Sequence, residues 1–267
     1  MSQTFLREYK REVVITTIGS KILSLIISIG RISILFFKII KNLKYVIKDR
    51  KQFFIQAYEI GFKSLLLIVS IAFFTGAVTA YQSGEQMVKL VPLNYLGLSV
   101  YKMMTMELGP VLTGIIMAGR YGASISAELG TMKVTEQIDA LDSMAVDPVR
   151  YLGVPRFVAS MTMLPIAVIF ADFIGIMGGY FISILAFDIS FYEFFNEVNN
   201  HFKISDISMG LVKSLTFGMI ISLIGTYVGF NTKGGAEGVG KATVKSFVIS
   251  SVLILIADLF VAITYLR

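Results

Sequence analysis

Five blocks of about 20 or more mainly apolar residues run through the chain, at about 62–82, 95–119, 157–187, 210–232 and 243–266. About 20 such residues in helix cross a bilayer core. Inside that core, backbone polar groups find partners only within helices or closed barrels. The blocks are continuous rather than alternating, so they read as helices. The 55% hydrophobic and 16% charged residues depart from the roughly 45–50% and 25% of soluble domains. The expected fold class is an all-α integral membrane protein. It has an N-terminal region, 1–50, with an interfacial amphipathic helix, then a domain over 51–267 with five transmembrane helices and a polar cytoplasmic helix at about 127–144.

Several chemistries drop out at once. The chain has no cysteine, which removes disulfides and thiolate sites. Its single histidine, His201, builds no metal cluster and reads as a solvated loop residue. No serine–histidine–aspartate, HExxH or paired-carboxylate spacing suggests an intramembrane enzyme, so no catalytic residue and no cofactor on this chain are expected. The net charge of +6 sits beside the apolar blocks, where anionic lipid rather than nucleic acid is the simpler partner. The charged start, with Arg7, Glu8, Lys10 and Arg11, argues against a cleavable signal peptide.

An earlier apolar stretch, 17–38, differs from the five blocks. On a helical projection Ser20, Lys21, Ser24, Ser28, Arg31 and Lys38 fall within about one third of the circumference. Such a basic stripe suits a helix lying in the membrane interface. The competing reading is a sixth span whose stripe faces other helices. Lysines and arginines concentrate in 7–51, 120–156 and 233–245, whereas the 188–206 loop is acidic. The asymmetry of basic residues then places the N-terminus and those segments in the cytoplasm, and the C-terminus outside.

Two loops carry motif-like runs. Gly235 to Ala242 nearly matches a phosphate-binding loop, but Ala242 replaces the required hydroxyl and no soluble strand precedes it, so the glycines read as a tight turn. In 127–144, Val134, Ile138, Leu141 and Ala145 share one helical face while Glu136, Asp139 and Asp142 stay polar. Asp147-Pro148 stops this helix. Its apolar face suits either a groove in another protein or the chain's own bundle.

Charges within the apolar blocks cost about 2.5–3.5 kcal/mol each even on mild scales. Glu107, Asp172, Lys213 and Asp258 therefore either line a headgroup path or are buried, hydrogen-bonded groups. Met103, Met104 and Met106 offer an adaptable wall for acyl chains or simple core filling. The small residues Gly175 and Gly179, and Gly225 and Gly229, let helices approach closely.

Taken together, Glu107-Leu-Gly-Pro110, Ala118-Gly-Arg120, Ala127-Glu-Leu-Gly-Thr131, Thr135-Glu-Gln-Ile-Asp-Ala-Leu141, Met144-Ala-Val-Asp-Pro148 and Gly234-Gly-Ala-Glu-Gly-Val-Gly240 resemble the MlaE/YrbE family of ABC-transporter permeases. The likeness covers roughly 50–267. It implies a permease that moves phospholipid or similar hydrophobic molecules between membranes and works as a dimer. The implied partners are a separate ATPase subunit and an MCE-domain lipid-binding protein, and the implied location is an inner membrane or plastid inner envelope. It also implies ATPase coupling through Glu128, Glu136, Gln137, Asp139, Ala140 and Leu141. The substrate path is expected at Met103, Met106, Glu107 and Lys213, although Met106 stands where some family members carry a basic residue. The rival is an ion-coupled secondary transporter using Asp172 and Asp258.

Overall fold

The computed structural model describes residues 20, 23, 26–88 and 91–266, and every regular element among them is helical. Helix α1 covers 26–42 and α2 is Arg50–Met87. A continuous helical run follows: α3 Leu96–Met103, a π turn at Met104–Leu108, α4 Gly109–Met117, a second π turn at Ala118–Gly122, and α5 Ala123–Val134. After α6, Gln137–Ser143, a third π turn at Val149–Gly153 leads into α7, Val154–Phe187. Short α8, Phe191–Asn200, precedes α9, Ile204–Phe230, and α10, Gly235–Leu266.

Among the described residues, four helices are long and apolar enough to cross a membrane: α2, the 149–187 run containing α7, α9 and α10. The block expected at 95–119 is also helical, but it does not stop at 119. The α3–α5 run continues to Val134; Arg120, which ends the apolar window, sits in the second π turn and donates to the Lys63 carbonyl. The single polar helix expected over 127–144 is correspondingly divided. Its first part belongs to α5, and Glu136 adopts φ 60°, a left-handed conformation that an α-helix cannot propagate through. A second left-handed residue, Ala145 at φ 59°, ends the corner before Asp147-Pro148.

Helix order in space follows from close approaches. α2 and α7 run side by side in the same direction, with Gly61 against Met163, Gly76 against Gly175 and Gly84 against Phe187. The α3–α5 run lies parallel to α9, from Gly210 against Thr105 to Gly229 against Leu129. Helix α10 returns antiparallel, and Ser246 donates to the Gly122 carbonyl, as Ser126 does to that of Gly225. The central cluster includes Ile68, Met117, Ile125, Leu129, Leu164, Phe217 and Ile254.

One end of the bundle gathers the segments expected to be cytoplasmic. Leu35 and Ile39 of α1 pack with Val154 and Phe157, Asn42 donates to Asp147, and Gly130 meets Thr232. In the basic stripe, Arg31 and Lys38 are exposed; Lys21 and Ser24 lie outside the described residues. At the opposite end α8 covers α3, with Phe194 against Gly97. The tight turn expected of the Gly-rich 235–242 segment is confined to its start: Gly234 and Gly235 take positive φ, and from Gly235 onward the segment is already the first turns of α10, with Gly238 N–H closing on the Gly234 carbonyl four residues back.

The close α2–α7 crossing is testable. A Cβ on Gly76 would fall on the Gly175 carbonyl, whereas one on Gly240 meets nothing within 4 Å. Gly76→Ala is expected to destabilise by about 1–3 kcal/mol through overpacking, and Gly240→Ala to be neutral or slightly stabilising. Reversible unfolding in mixed micelles measures both.

Candidate functional site

The first π turn shapes the interior site. A π turn inserts a residue into a helix and re-aims the side chains around it, often at functional positions. Here it spans Met104–Leu108. Within and just before it, Met104 and Thr105 are buried, Met103 is exposed, and Met106, Glu107 and Leu108 are partly exposed.

Lys213 of α9 reaches this turn with none of its side chain exposed. Its Nζ donates to Glu107 Oε2 at 2.7 Å and to the Met106 carbonyl at 2.9 Å. Asp258 Oδ1 of α10 stands 2.8 Å from the same ammonium. The structure thus joins two of the expected path residues, Glu107 and Lys213, directly, and Met106 through its backbone. It adds Asp258, whose pairing sequence alone does not reveal; the only hint is a pair of opposite charges in separate apolar blocks. Asp258 is thereby ion-paired rather than isolated. Asp172 stands apart, its Oδ1 buried beside Gly109 without a hydrogen-bond partner among the described residues.

Met103 faces elsewhere. With Leu108 it borders an open, mainly apolar groove of about 580 Å³ along α2, walled by Ile71, Phe74 and Val78. Thr79, Gln82 and Met103 continue it into a recess of about 280 Å³ lined by Ser83, Gln86 and Ser99. The combined depression changes from apolar to polar along its length. Glu107, 44% exposed, lines neither the groove nor the recess, its carboxylate being turned to Lys213.

The α5–α6 corner is the second candidate site. Lys133 Nζ pairs with Asp139 Oδ1 at 2.6 Å across the left-handed break at Glu136, and Gln137 donates to Thr135. Ile138 is buried and Leu141 packs on the central cluster, so the face that the spacing offers to a partner groove is turned to the chain's own bundle. Glu136, Gln137, Asp139, Ala140 and Met144 form the exposed surface instead. Glu128 lies one helix back, its Oε1 2.7 Å from buried Arg156. Arg150 stacks over Tyr45 and pairs with Asp49 at 3.5 Å, fastening the α1–α2 connection beside this corner.

Residues 53–264, covering α2 through α10, match the Permease MlaE family. The chain belongs to that family. A probable ABC transporter permease protein of Rickettsia typhi is 43% identical over 203 residues, 76% of this chain and 78% of that protein. One of Pyropia yezoensis is 34% identical over 224 residues, 84% and 85% of the two chains. The intermembrane phospholipid transport system permease protein MlaE of Haemophilus influenzae is 30% identical over 245 residues, 91% and 94% of the two. The chain is accordingly an ABC-transporter permease of the MlaE family.

The charge cluster makes a specific prediction for this MlaE-family chain. Lys213→Met leaves two carboxylates facing each other and should destabilise by about 3–5 kcal/mol, as removing one member of a buried pair does. Neutralising the set together, with Lys213→Met, Glu107→Gln and Asp258→Asn, should recover most of that loss in the same unfolding assay.

Proposed function

We propose that this permease moves phospholipid or a similar two-tailed hydrophobic molecule between membranes, and that the lipid passes through the α2–α3 depression. The observation that carries this reading is the shape and polarity of that depression. Its apolar length accepts acyl chains and its polar recess accepts a headgroup. The name of the Haemophilus relative points to the same cargo.

The ATPase would dock on the cytoplasmic α5–α6 corner, through the exposed side of α6 and Met144, with Ile138 and Leu141 anchoring α6 from behind. An MCE-domain protein would receive or deliver lipid at the α8 end, and a second copy of this chain would complete the permease. The distribution of basic residues supports cytoplasmic placement of 1–50, 120–156 and 233–245, with α1 in the interface. An inner membrane, bacterial or plastid, is the setting these roles require.

Two variants separate the two sites. Met144→Asp puts a charge on an exposed position, 65% accessible, and should reduce copurification of the ATPase while thermal stability is unchanged. Met103→Trp should obstruct the groove, leaving ATPase binding intact but lowering ATP-dependent lipid transfer between reconstituted vesicles. Transfer at the wild-type rate by Met103→Trp would refute the proposed path, and undiminished ATPase recovery with Met144→Asp would refute the proposed dock.

A further inference from the structure

We infer that a second lipid site, separate from the transport groove, lies at the α1 end of α2 and holds one anionic phospholipid astride a ridge of two aromatic rings. The ridge is Tyr58 and Phe62, stacked with centroids 5.4 Å apart and rings 13° from parallel. On one side of it α2 and α7 leave a slot of about 590 Å³. On the other side a groove of about 580 Å³ runs past Leu66 and Val69. Tyr58, Phe62 and Leu65 line both.

Two parallel channels of nearly equal volume flanking one ridge fit the two tails of a diacyl lipid. The floor of the slot consists of small residues, Ala57, Gly61 and Ala167, and its walls are aromatic or aliphatic. A partner's membrane helix, about 10–12 Å across with its side chains, would rest on the ridge and leave both channels unfilled.

The charge at the rim selects the headgroup. Arg120 and Lys63 border the second groove. Lys63 is neutralised by Glu59 at 2.5 Å. Arg120 donates to the Lys63 carbonyl and has no carboxylate partner among the described residues, so it leaves one uncompensated positive charge. Cations at a membrane surface attract anionic lipid, and a guanidinium binds a phosphate through two parallel hydrogen bonds. A purely apolar occupant would use none of these charges.

Placing this end in the cytoplasmic leaflet rests on the proposed topology, but the binding itself does not. The test places the full-length purified protein in phosphatidylcholine vesicles carrying equal trace amounts of phosphatidylglycerol and phosphatidylcholine with photoactivatable tails, and maps the labelled peptides. Phosphatidylglycerol is expected to label 53–66 and 163–170 several-fold more than phosphatidylcholine does. Arg120→Gln should bring the two to equality. Arg50→Glu with Lys51→Glu, about 18 Å along α2 from Lys63, should leave the preference in place. Tyr58→Ala with Phe62→Ala, both more than half exposed, should reduce labelling by both lipids without loss of thermal stability. Equal labelling by the two lipids in the wild type, or a preference that survives Arg120→Gln, overturns the proposal. So does displacement of the label by a copurified partner's membrane helix. Labelling of the Met103–Leu108 groove is read from different peptides, so failure of the transport path is distinguishable from failure of this site.

Discussion

A lysine with no exposed surface, 2.7 Å from one carboxylate and 2.8 Å from another, fixes how the helices of this permease stand relative to one another. Removing charges from water costs several kcal/mol per ion, and attraction offsets that cost only with close geometry and further hydrogen bonds. Lys213 has both, through Glu107 and the Met106 carbonyl on one helical run and Asp258 on α10. A slip of any of the three helices by one residue would strand a charge in the interior. The register is reinforced by Ser126 and Ser246 bonding across helices to glycine carbonyls. Those serines come so close because Gly225 and Gly122 carry no side chain to keep the backbones apart.

The same cluster explains why the π turn sits at Met104–Leu108. The widened turn lets Glu107 reach Lys213 while Met103 and Leu108 still border the α2 groove. From there the helical run continues without a break to Val134 and reaches the α5–α6 corner, so the proposed lipid path and the proposed ATPase dock are two ends of one rod. Arg156 holds that rod through Glu128, and the Asn42–Asp147 and Asp49–Arg150 contacts tie the α1–α2 connection to the segment after α6. A displacement of α6 therefore has a short polar route to α1 and a continuous helical one, about 45 Å long, to the groove.

Much of this was legible in the sequence because apolar blocks and charge placement act locally. The helical blocks, the grouping of the basic segments at one end and the close-packed glycines all follow from composition within about 20 residues. The cost of intramembrane charge also marked Glu107, Lys213 and Asp258 as needing partners. Their mutual pairing was not legible, since it joins positions about 45 to 150 apart in the chain and depends on packing. The break at Glu136 was hidden because the left-handed conformation occurs at a residue with no intrinsic preference for it. The spacing of Ile138 and Leu141 correctly defined an apolar face, but periodicity gives a face and not its neighbour; the bundle itself occupies it.

The account's central claim is that lipid lies beside the π turn, and the most direct measurement is site-specific photocrosslinking from within the protein. A photoreactive amino acid at Met103 should capture phospholipid well above the level captured at Leu259, which is 59% exposed on α10, lines neither proposed lipid site and reports ordinary surrounding lipid. The Met103 adduct should also fall when ATP drives the complex through turnover, while the Leu259 adduct stays constant. Capture at Met103 no greater than at Leu259, and unaffected by ATP, would show that the groove is an ordinary lipid-facing surface and contradict the account.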